Sequence, residues 1–433
     1  MKITLSAILL TCFLMGNAQA PFYQVNSGLN AVGNSMISDI LPEKKITLIT
    51  GHYNLSAYHS AFSYGDFIKS ENNSALEIDA KNAFSQLDAN NDLWLDTEFK
   101  TLGIGFRLGK LGVGFQHSLT AFNVLNYPKD LFGLLFLGNS QYIDKEVQVG
   151  PQFTGMAYNS FGFGLGYDFG KLKLTGRFNW LSAAAGAQTK NNDVLLYTNP
   201  EFYQLRLTTN YELNSSNLIN PDSLGESNFI SRLSFDGLFK SNTGYSLDFA
   251  ANYNLNSKTS IGGSIRGLGQ INFNTNAKNY RSNKIINYDG IDIGNFITGD
   301  SLSLASTIDS LGDLLKFDES NRNFSIRLPF HANFHAQYAI SSKLIGMAGM
   351  QYSSINDASF TSFTAGISFQ PIKAIRLATN YTYIPSAPAN IGLHCSFRFW
   401  LIELAGGTDN VLAGFDPKST KYGTGYLGLR WIL

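Results

Sequence analysis

Polar and apolar residues alternate one by one through much of this chain. From Lys171 to Trp180, Leu172, Leu174, Phe178 and Trp180 share one face, while Lys173, Thr175, Arg177 and Asn179 share the other, because successive side chains of a strand point to opposite sides of its sheet. The period returns in Phe161 to Phe169, interleaved with Gly162, Gly164, Gly166 and Asp168, and in Tyr245 to Leu255, interleaved with Ser246, Asp248, Asn252 and Asn254. The longest run sets Phe324, Ile326, Leu328, Phe330, Ala332, Phe334, Ala336 and Tyr338 against Ser325, Arg327, Pro329, His331, Asn333, His335 and Gln337. At about 3.3 Å per residue this run outreaches a globular strand and suits a tilted strand that crosses a membrane. A soluble sandwich would bury the apolar face as its core, whereas a membrane barrel turns that face to lipid and lines a wet interior with the polar one. Charge along most of the polar face favours the barrel.

The connections agree. Tight turns are expected at Gly109-Lys110, Gly170-Lys171, Asn256-Ser257-Lys258, Ser341-Ser342-Lys343, Gln370-Pro371-Ile372 and Arg398-Phe399, with long connections at 60–91, 125–145, 191–242, 276–321 and 408–420. Bacterial barrels alternate short periplasmic turns with long outer loops. The predicted fold is therefore all-β: a transmembrane antiparallel up-and-down β-barrel of about fourteen strands with short helices in its loops, both termini periplasmic. Strand-like pieces at Tyr203 to Tyr211 and Lys284 to Tyr288 leave the count open by two in either direction. Near Lys100 to Leu102 the apolar face switches from odd to even positions, which implies a bulge or a strand end. Helical spacing of apolar residues predicts loop helices at Ala80 to Leu87, Pro128 to Leu137 and Thr307 to Lys316. The last strand places Leu427, Leu429, Trp431 and Leu433 on one face and stops with the chain.

Composition narrows the class further. Charged residues make up 15%, well under the roughly 25% of a soluble domain, while 33 Phe and 21 Tyr suit aromatic girdles. Residues 1–20 have the layout of a secretory signal: Lys2, an apolar stretch from Ile3 to Met15, then Gly16-Asn17-Ala18-Gln19-Ala20. Cleavage after Ala18 is favoured over Ala20, since Pro21 is a poor residue just after the cut. Residues 21–433 then form a single outer-membrane barrel, with Cys395 as its one cysteine and no internal disulfide. No later run approaches the roughly 18 apolar residues of a spanning helix. A net charge of zero argues against nucleic acid as a partner.

Several short segments resemble one family. The run Pro128-Lys129-Asp130-Leu131 leading into Gly138-Asn139-Ser140-Gln141-Tyr142, Leu328-Pro329 inside a long strand, and Ala405-Gly406-Gly407-Thr408-Asp409-Asn410 before a closing Gly-Leu-Arg strand resemble a family of Bacteroidota outer-membrane barrels known as domain of unknown function 5723. The likeness spans nearly the whole mature chain. That family is similar to the long-chain fatty acid transporter class, which implies fourteen strands and a plugged lumen, and more distantly to barrels of the type IX secretion and gliding apparatus. By that analogy Phe22 to Pro42 would supply a plug, although it carries no matching motif.

Assigning each polar face to the lumen collects Arg107, Asp168, Lys173, Arg177, Asp248, Arg266, Arg327, His331, His335, Arg376, Arg398 and Arg430 as candidate lumen-lining residues. Buried charge needs partners. The acidic segment Asp289, Asp292, Asp300, Asp309, Asp313, Asp318 and Glu319 is expected to fold over this basic wall and occlude it; the rival is an open, anion-preferring pore. His331 and His335 share a face but stand about 13 Å apart on a strand, too far for one metal ion. Asp88-Ala89-Asn90-Asn91-Asp92 starts like a calcium loop, then has Leu93 and Phe99 where Gly and Glu are required. No nucleophile elbow and no phosphate or dinucleotide loop is present, so neither an enzyme, a metal nor a cofactor is expected. The expected function is binding or passage of a small hydrophobic or amphipathic molecule across the cell outer membrane, with outer-membrane lipid around the barrel. The alternative is a non-transport scaffold of an envelope or type IX secretion and gliding-associated complex, with an envelope protein as its partner.

Overall fold

In the computed structural model, which describes residues 35–69, 77–201, 203–219, 242–288, 317–356 and 358–433, fourteen antiparallel strands close into a barrel. The first half comprises β1 (Ile46–His59), β2 (Asn90–Leu108), β3 (Leu111–Pro128), β4 (Gln152–Asp168), β5 (Leu172–Thr198), β6 (Thr243–Asn254) and β7 (Thr259–Phe273). The second half comprises β8 (Phe330–Ala339), β9 (Leu344–Ile355), β10 (Ala358–Ile372), β11 (Ile375–Ile384), β12 (Ala387–Phe399), β13 (Ile402–Thr408) and β14 (Tyr422–Ile432). Each pairs with the next, and β1 closes the ring on β14 through Thr47↔Ile432, Leu48↔Trp431 and Ile49↔Arg430. Closure leaves no barrel edge, as a lipid environment requires. The outer wall is apolar and exposed at Phe163, Leu165, Phe178, Phe249, Phe363 and Leu393, so the apolar face of the alternation is the lipid face.

Two short helices stand where their spacing predicts them. α2 (Ala80–Gln86) starts at Asp79, whose carboxylate accepts from the Asn82 amide, and α3 (Lys129–Leu137) starts after Pro128. The third expected helix lies outside the described residues, as do the signal segment and Asp289 to Asp313. Two turns sit slightly later than expected, at Lys373-Ala374 and Trp400-Leu401. Asn91 exchanges hydrogen bonds with the backbone of Asp88, so that the start of the Asp88 to Asp92 segment turns from α2 into β2.

The strand-like loop pieces build an extension above the barrel. Strand β5 continues upward and pairs with Leu205–Ser216, which pairs with Ala277–Tyr288, which pairs with Asp318–Asn321. Leu205–Ser216 and β6 occupy successive stretches of the same β5 edge, Ser216 opposite Gly186 and Thr243 opposite Ser182. Asn242 joins them. Its side chain donates to Ser216 Oγ at 3.2 Å and accepts from the amides of Asn274 and Thr275 at 3.0 Å each. Asn242 is buried with φ 52°, a left-handed backbone that Asn tolerates better than most residues. Asn242→Ala is expected to cost about 1–3 kcal/mol, because the buried Asn242 side chain gives up three hydrogen bonds, each worth roughly 0.5–1.5 kcal/mol. Urea unfolding from vesicles would measure it; a loss below about 0.5 kcal/mol, within surface-substitution scatter, would show that the junction is held elsewhere.

Two bulges reset the inside–outside parity. On β2 a register shift between Lys100 and Leu102 moves the lipid face from odd to even positions, which resolves the expected switch there as a bulge. On β7, Arg266 and Gly267 together oppose Asp248, and Gly267 has φ +81° with Pro329 O only 2.0 Å from where a Cβ would sit. Only glycine fits there. The neighbouring chain breaks at the same height, between Phe324–Arg327 and β8, around Leu328-Pro329. The single alternating run expected from Phe324 to Tyr338 is therefore two pieces of opposite parity. Phe330, Ala332 and Phe334 keep to the outer face, whereas Ile326 and Leu328 are buried inside.

Candidate functional site

The lumen is stratified along the barrel axis. At the end with the short turns, α1 (Ser35–Ile40) and Leu41 sit inside the wall, with Met36, Ile37, Ile40 and Leu41 buried against Ala250. Inward glycines make the space. A Cβ on Gly105 would lie 1.9 Å from Asp39 O, one on Gly112 2.2 Å from Ile40 O, and one on Gly164 2.4 Å from Ile40 Cδ1. Lys100 Nζ meets Asp39 at 2.7 Å and Arg107 donates to Pro42 O at 3.4 Å. Residues 35–42 thus act as a plug, at the end of the segment that the resemblance pointed to.

Above the plug lies a charged layer. Arg177 donates through Nη2 and Nε to Asp248 at 2.7 and 3.0 Å and through Nη1 to Gln116 at 2.6 Å. Asp248 also accepts from Asn179 and from the Gly267 amide. Arg266 on β7 reaches Glu98 on β2, across the lumen, at 3.4 Å. His331 shares a hydrogen bond with Ser353. A void of about 60 Å³ remains among these groups. Elsewhere on the inner wall, Arg107 pairs with Asp168 at 2.6 Å, Arg430 with Glu403 at 3.0 Å, and Arg376 donates to Gln370. His394 lies 2.7 Å from Asn380 and 3.3 Å from Asp409, and its ring stacks on Tyr426.

Nearer the outer mouth the lining turns apolar. One continuous buried cluster includes Phe122, Met156, Leu181, Ile271, Phe273, Ile326, Leu328, Phe360 and Ile384. It bridges the lumen: Phe360 on β10 packs 5.6 Å from Tyr58 on β1 and 5.5 Å from Trp94 on β2, centroid to centroid. The paired bulges at Gly267 and Pro329 deliver Ile271, Phe273, Ile326 and Leu328 to this layer, since a one-residue slip exchanges the two faces of a strand.

Of the sequence candidates, Arg107, Asp168, Lys173, Arg177, Asp248, Arg266, His331, His335, Arg376, Arg398 and Arg430 occupy inward positions of the wall. Arg327 does not. It is exposed, between buried Ile326 and Leu328, because the break at Pro329 reverses parity. His335 bonds Asn333 rather than approaching His331, and no group of metal-ligating side chains forms among the described residues. Two of the seven acidic residues expected over this wall stand elsewhere. Asp318 pairs with Lys284 and Glu319 with Lys278 on the extension, away from the basic wall, and Asp289 to Asp313 lie outside the described residues. The partners of the lumen cations are Glu98, Asp39, Gln116 and Gln370 together with Asp168, Asp248 and Glu403. Glu98 and Lys100 escape a simple reading since they precede the β2 bulge, where inward positions are even-numbered. Among the described residues, wall side chains and the plug fill the lumen.

A cavity of about 780 Å³, lined mostly by apolar residues, lies on the outer wall and not in the lumen. A toluene transporter from P. putida, TodX, shares the architecture at 9% identity and TM-score 0.43, over 96% of this chain and 98% of that one. A deletion mutant of TodX, described as a monoaromatic hydrocarbon channel, matches at 10% identity and TM-score 0.45, over 96% of both chains. A FadL homologue from Pseudomonas aeruginosa matches at 10% identity and TM-score 0.43, over 97% and 98%. No curated protein matches the chain in sequence. Residues 42–409 match the model of a family of unknown function, DUF5723, and the chain belongs to that family.

Proposed function

We propose that this barrel resides in the outer membrane and takes up a small hydrophobic or amphipathic molecule into the upper lumen, without catalysing a reaction on it. The observation that carries this reading is the buried apolar layer that spans the mouth. A water-filled channel lines its interior with polar groups, whereas here Ile271, Phe273, Ile326 and Ile384 are fully buried across the lumen. Such a layer resists water and ions yet offers an apolar solute a medium like its own. The solute named for the TodX structures, a monoaromatic hydrocarbon, belongs to that chemical class. Passage further inward requires the charged layer and the plug to give way. A scaffold role draws no comparable support, because among the described residues the outer face of the extension is mostly polar, with Arg206, Asn210, Glu212 and Arg281 around one exposed Ile285, and contact surfaces for proteins are marked by broad apolar patches.

The test is equilibrium binding to the purified full chain in lipid nanodiscs, with labelled palmitate and labelled toluene as apolar probes and glucose as the polar one. Saturable binding of at least one apolar probe is expected, weakened about tenfold or more by Ile384→Asp, since one buried unpaired carboxylate costs several kcal/mol in an apolar site. Ile384→Ala, which keeps the layer apolar, should weaken it less. No saturable binding of either apolar probe to the unaltered protein would overturn the reading.

A further inference from the structure

The zero net charge of the chain conceals a basic rim. The short turns lie at 109–110, 169–171, 255–258, 340–343, 373–374 and 400–401, and the first five carry the exposed residues Lys110, Lys171, Lys258, Lys343 and Lys373. The sixth carries Trp400, which is 79% exposed. Asp168, the carboxylate beside the Lys171 turn, is already committed to Arg107 and to the Gly170 amide. Successive turns are two strands apart, so neighbouring lysines start about 10 Å from one another. By the length rule this rim faces the periplasm.

Next to three of these lysines the lipid-facing wall is hollowed. The cavity of about 780 Å³ has Gly176, Ala251, Gly263 and Ala332 at its floor and Tyr167, Leu174, Phe249 and Phe334 around it. Small residues come together there because Ala251 pairs with Gly263 across β6 and β7 and with Leu174 across β5 and β6. At its periplasmic end the hollow is bounded by Leu111 and Phe169, neighbours in sequence of Lys110 and Gly170-Lys171. An apolar slot thus opens beside a row of cations.

We propose that this hollow binds one anionic glycerophospholipid of the periplasmic leaflet, its acyl chains against the Gly176, Ala251 and Gly263 floor and its phosphate at Lys110, Lys171 and Lys258. Charge complementarity selects this occupant. A second copy of the chain docked face to face would set one lysine row against another, and like charges oppose such contacts, whereas an anionic headgroup supplies the counter-charge where juxtamembrane lysines act.

The experiment is native mass spectrometry of the full chain released from nanodiscs containing equal dioleoyl phosphatidylglycerol and dioleoyl phosphatidylcholine. One phosphatidylglycerol should be retained in preference to phosphatidylcholine. Replacing Lys110, Lys171 and Lys258 together with Gln should reduce that preference by roughly a hundredfold, at roughly fivefold per lysine. Lys373→Gln, on a turn whose two strands contribute nothing to the hollow, should leave it unchanged, and Ala251→Trp should expel both lipids by filling the floor. Circular dichroism would verify that each variant keeps its strand content. Equal retention of the two lipids, an effect of Lys373→Gln as large as that of the near three, retention unaffected by Ala251→Trp, or a lipid-free dimer would each overturn the proposal.

Discussion

Asp248→Ala should destabilise the barrel by about 3–5 kcal/mol, the cost of leaving one partner of a buried ion pair alone. The Arg177 and Asp248 side chains are 6% and 5% exposed, and Asp248 accepts from Arg177, Asn179 and the Gly267 amide. Its removal strands a guanidinium in the lumen and frees the amide that anchors the β7 bulge. Because that bulge delivers Ile271 and Phe273 to the upper layer, the loss should spread to the apolar cluster. Combining Asp248→Leu with Arg177→Met should recover much of the stability, since replacing both charges by apolar side chains removes the desolvation cost along with the attraction. The comparison pair is Lys278 with Glu319, whose side chains are 41% and 40% exposed; Glu319→Gln should cost under about 1 kcal/mol. Reversible urea unfolding in vesicles would rank the three variants. Equal losses at the two pairs would show that the charged layer is solvated and that the lumen is wetter than its packing indicates.

Gly105→Val should release the plug. A Cβ there would lie 1.9 Å from the Asp39 carbonyl oxygen, which belongs to backbone and cannot swing aside. Displacing α1 exposes Met36, Ile37, Ile40 and Leu41 and separates Lys100 from Asp39. With Cys395 changed to Ala, so that the lipid-facing thiol does not react, Ile37→Cys reports the exposure through a water-soluble maleimide. Its labelling should accelerate about a hundredfold or more in Gly105→Val, since tenfold corresponds to 1.4 kcal/mol and each buried apolar side chain contributes about 1.5–3 kcal/mol. Gly425→Val is the control, because a Cβ there meets nothing within 4 Å. Unchanged labelling in Gly105→Val would mean that the glycines on β2, β3 and β4 serve strand packing and that the plug is held by other contacts.

Both expectations depend on features with different origins. Alternation with period two is local, so strand identity, the lipid face and the tight turns could be read from residues such as Phe161 to Phe169 and Gly170-Lys171 with no tertiary information. A ring of about fourteen follows from counting those turns, and the count closed at fourteen only once the strand-like loop pieces were placed in the extension. Inward positions of Arg177, Asp248 and Arg430 were legible in the same way, each lying in a run of unbroken parity.

Partners and parity breaks were not legible. Arg327 sits in what reads as one strand, yet faces outward, because Pro329 and Gly267 interrupt two neighbouring strands at one height and the bulge flips every later residue. Glu98 could be matched to Arg266 only after closure set β2 opposite β7. Likewise Gly105, Gly112 and Gly164 look like the ordinary glycines of an alternating strand, and only the docked helix shows them as a seat. Periodicity therefore specified which residues form the wall, a question of adjacent residues. Which side chains meet across the lumen was decided by ring closure, bulges and the inserted plug, because contacts between residues far apart in sequence arise from the folded geometry and leave no mark on local pattern.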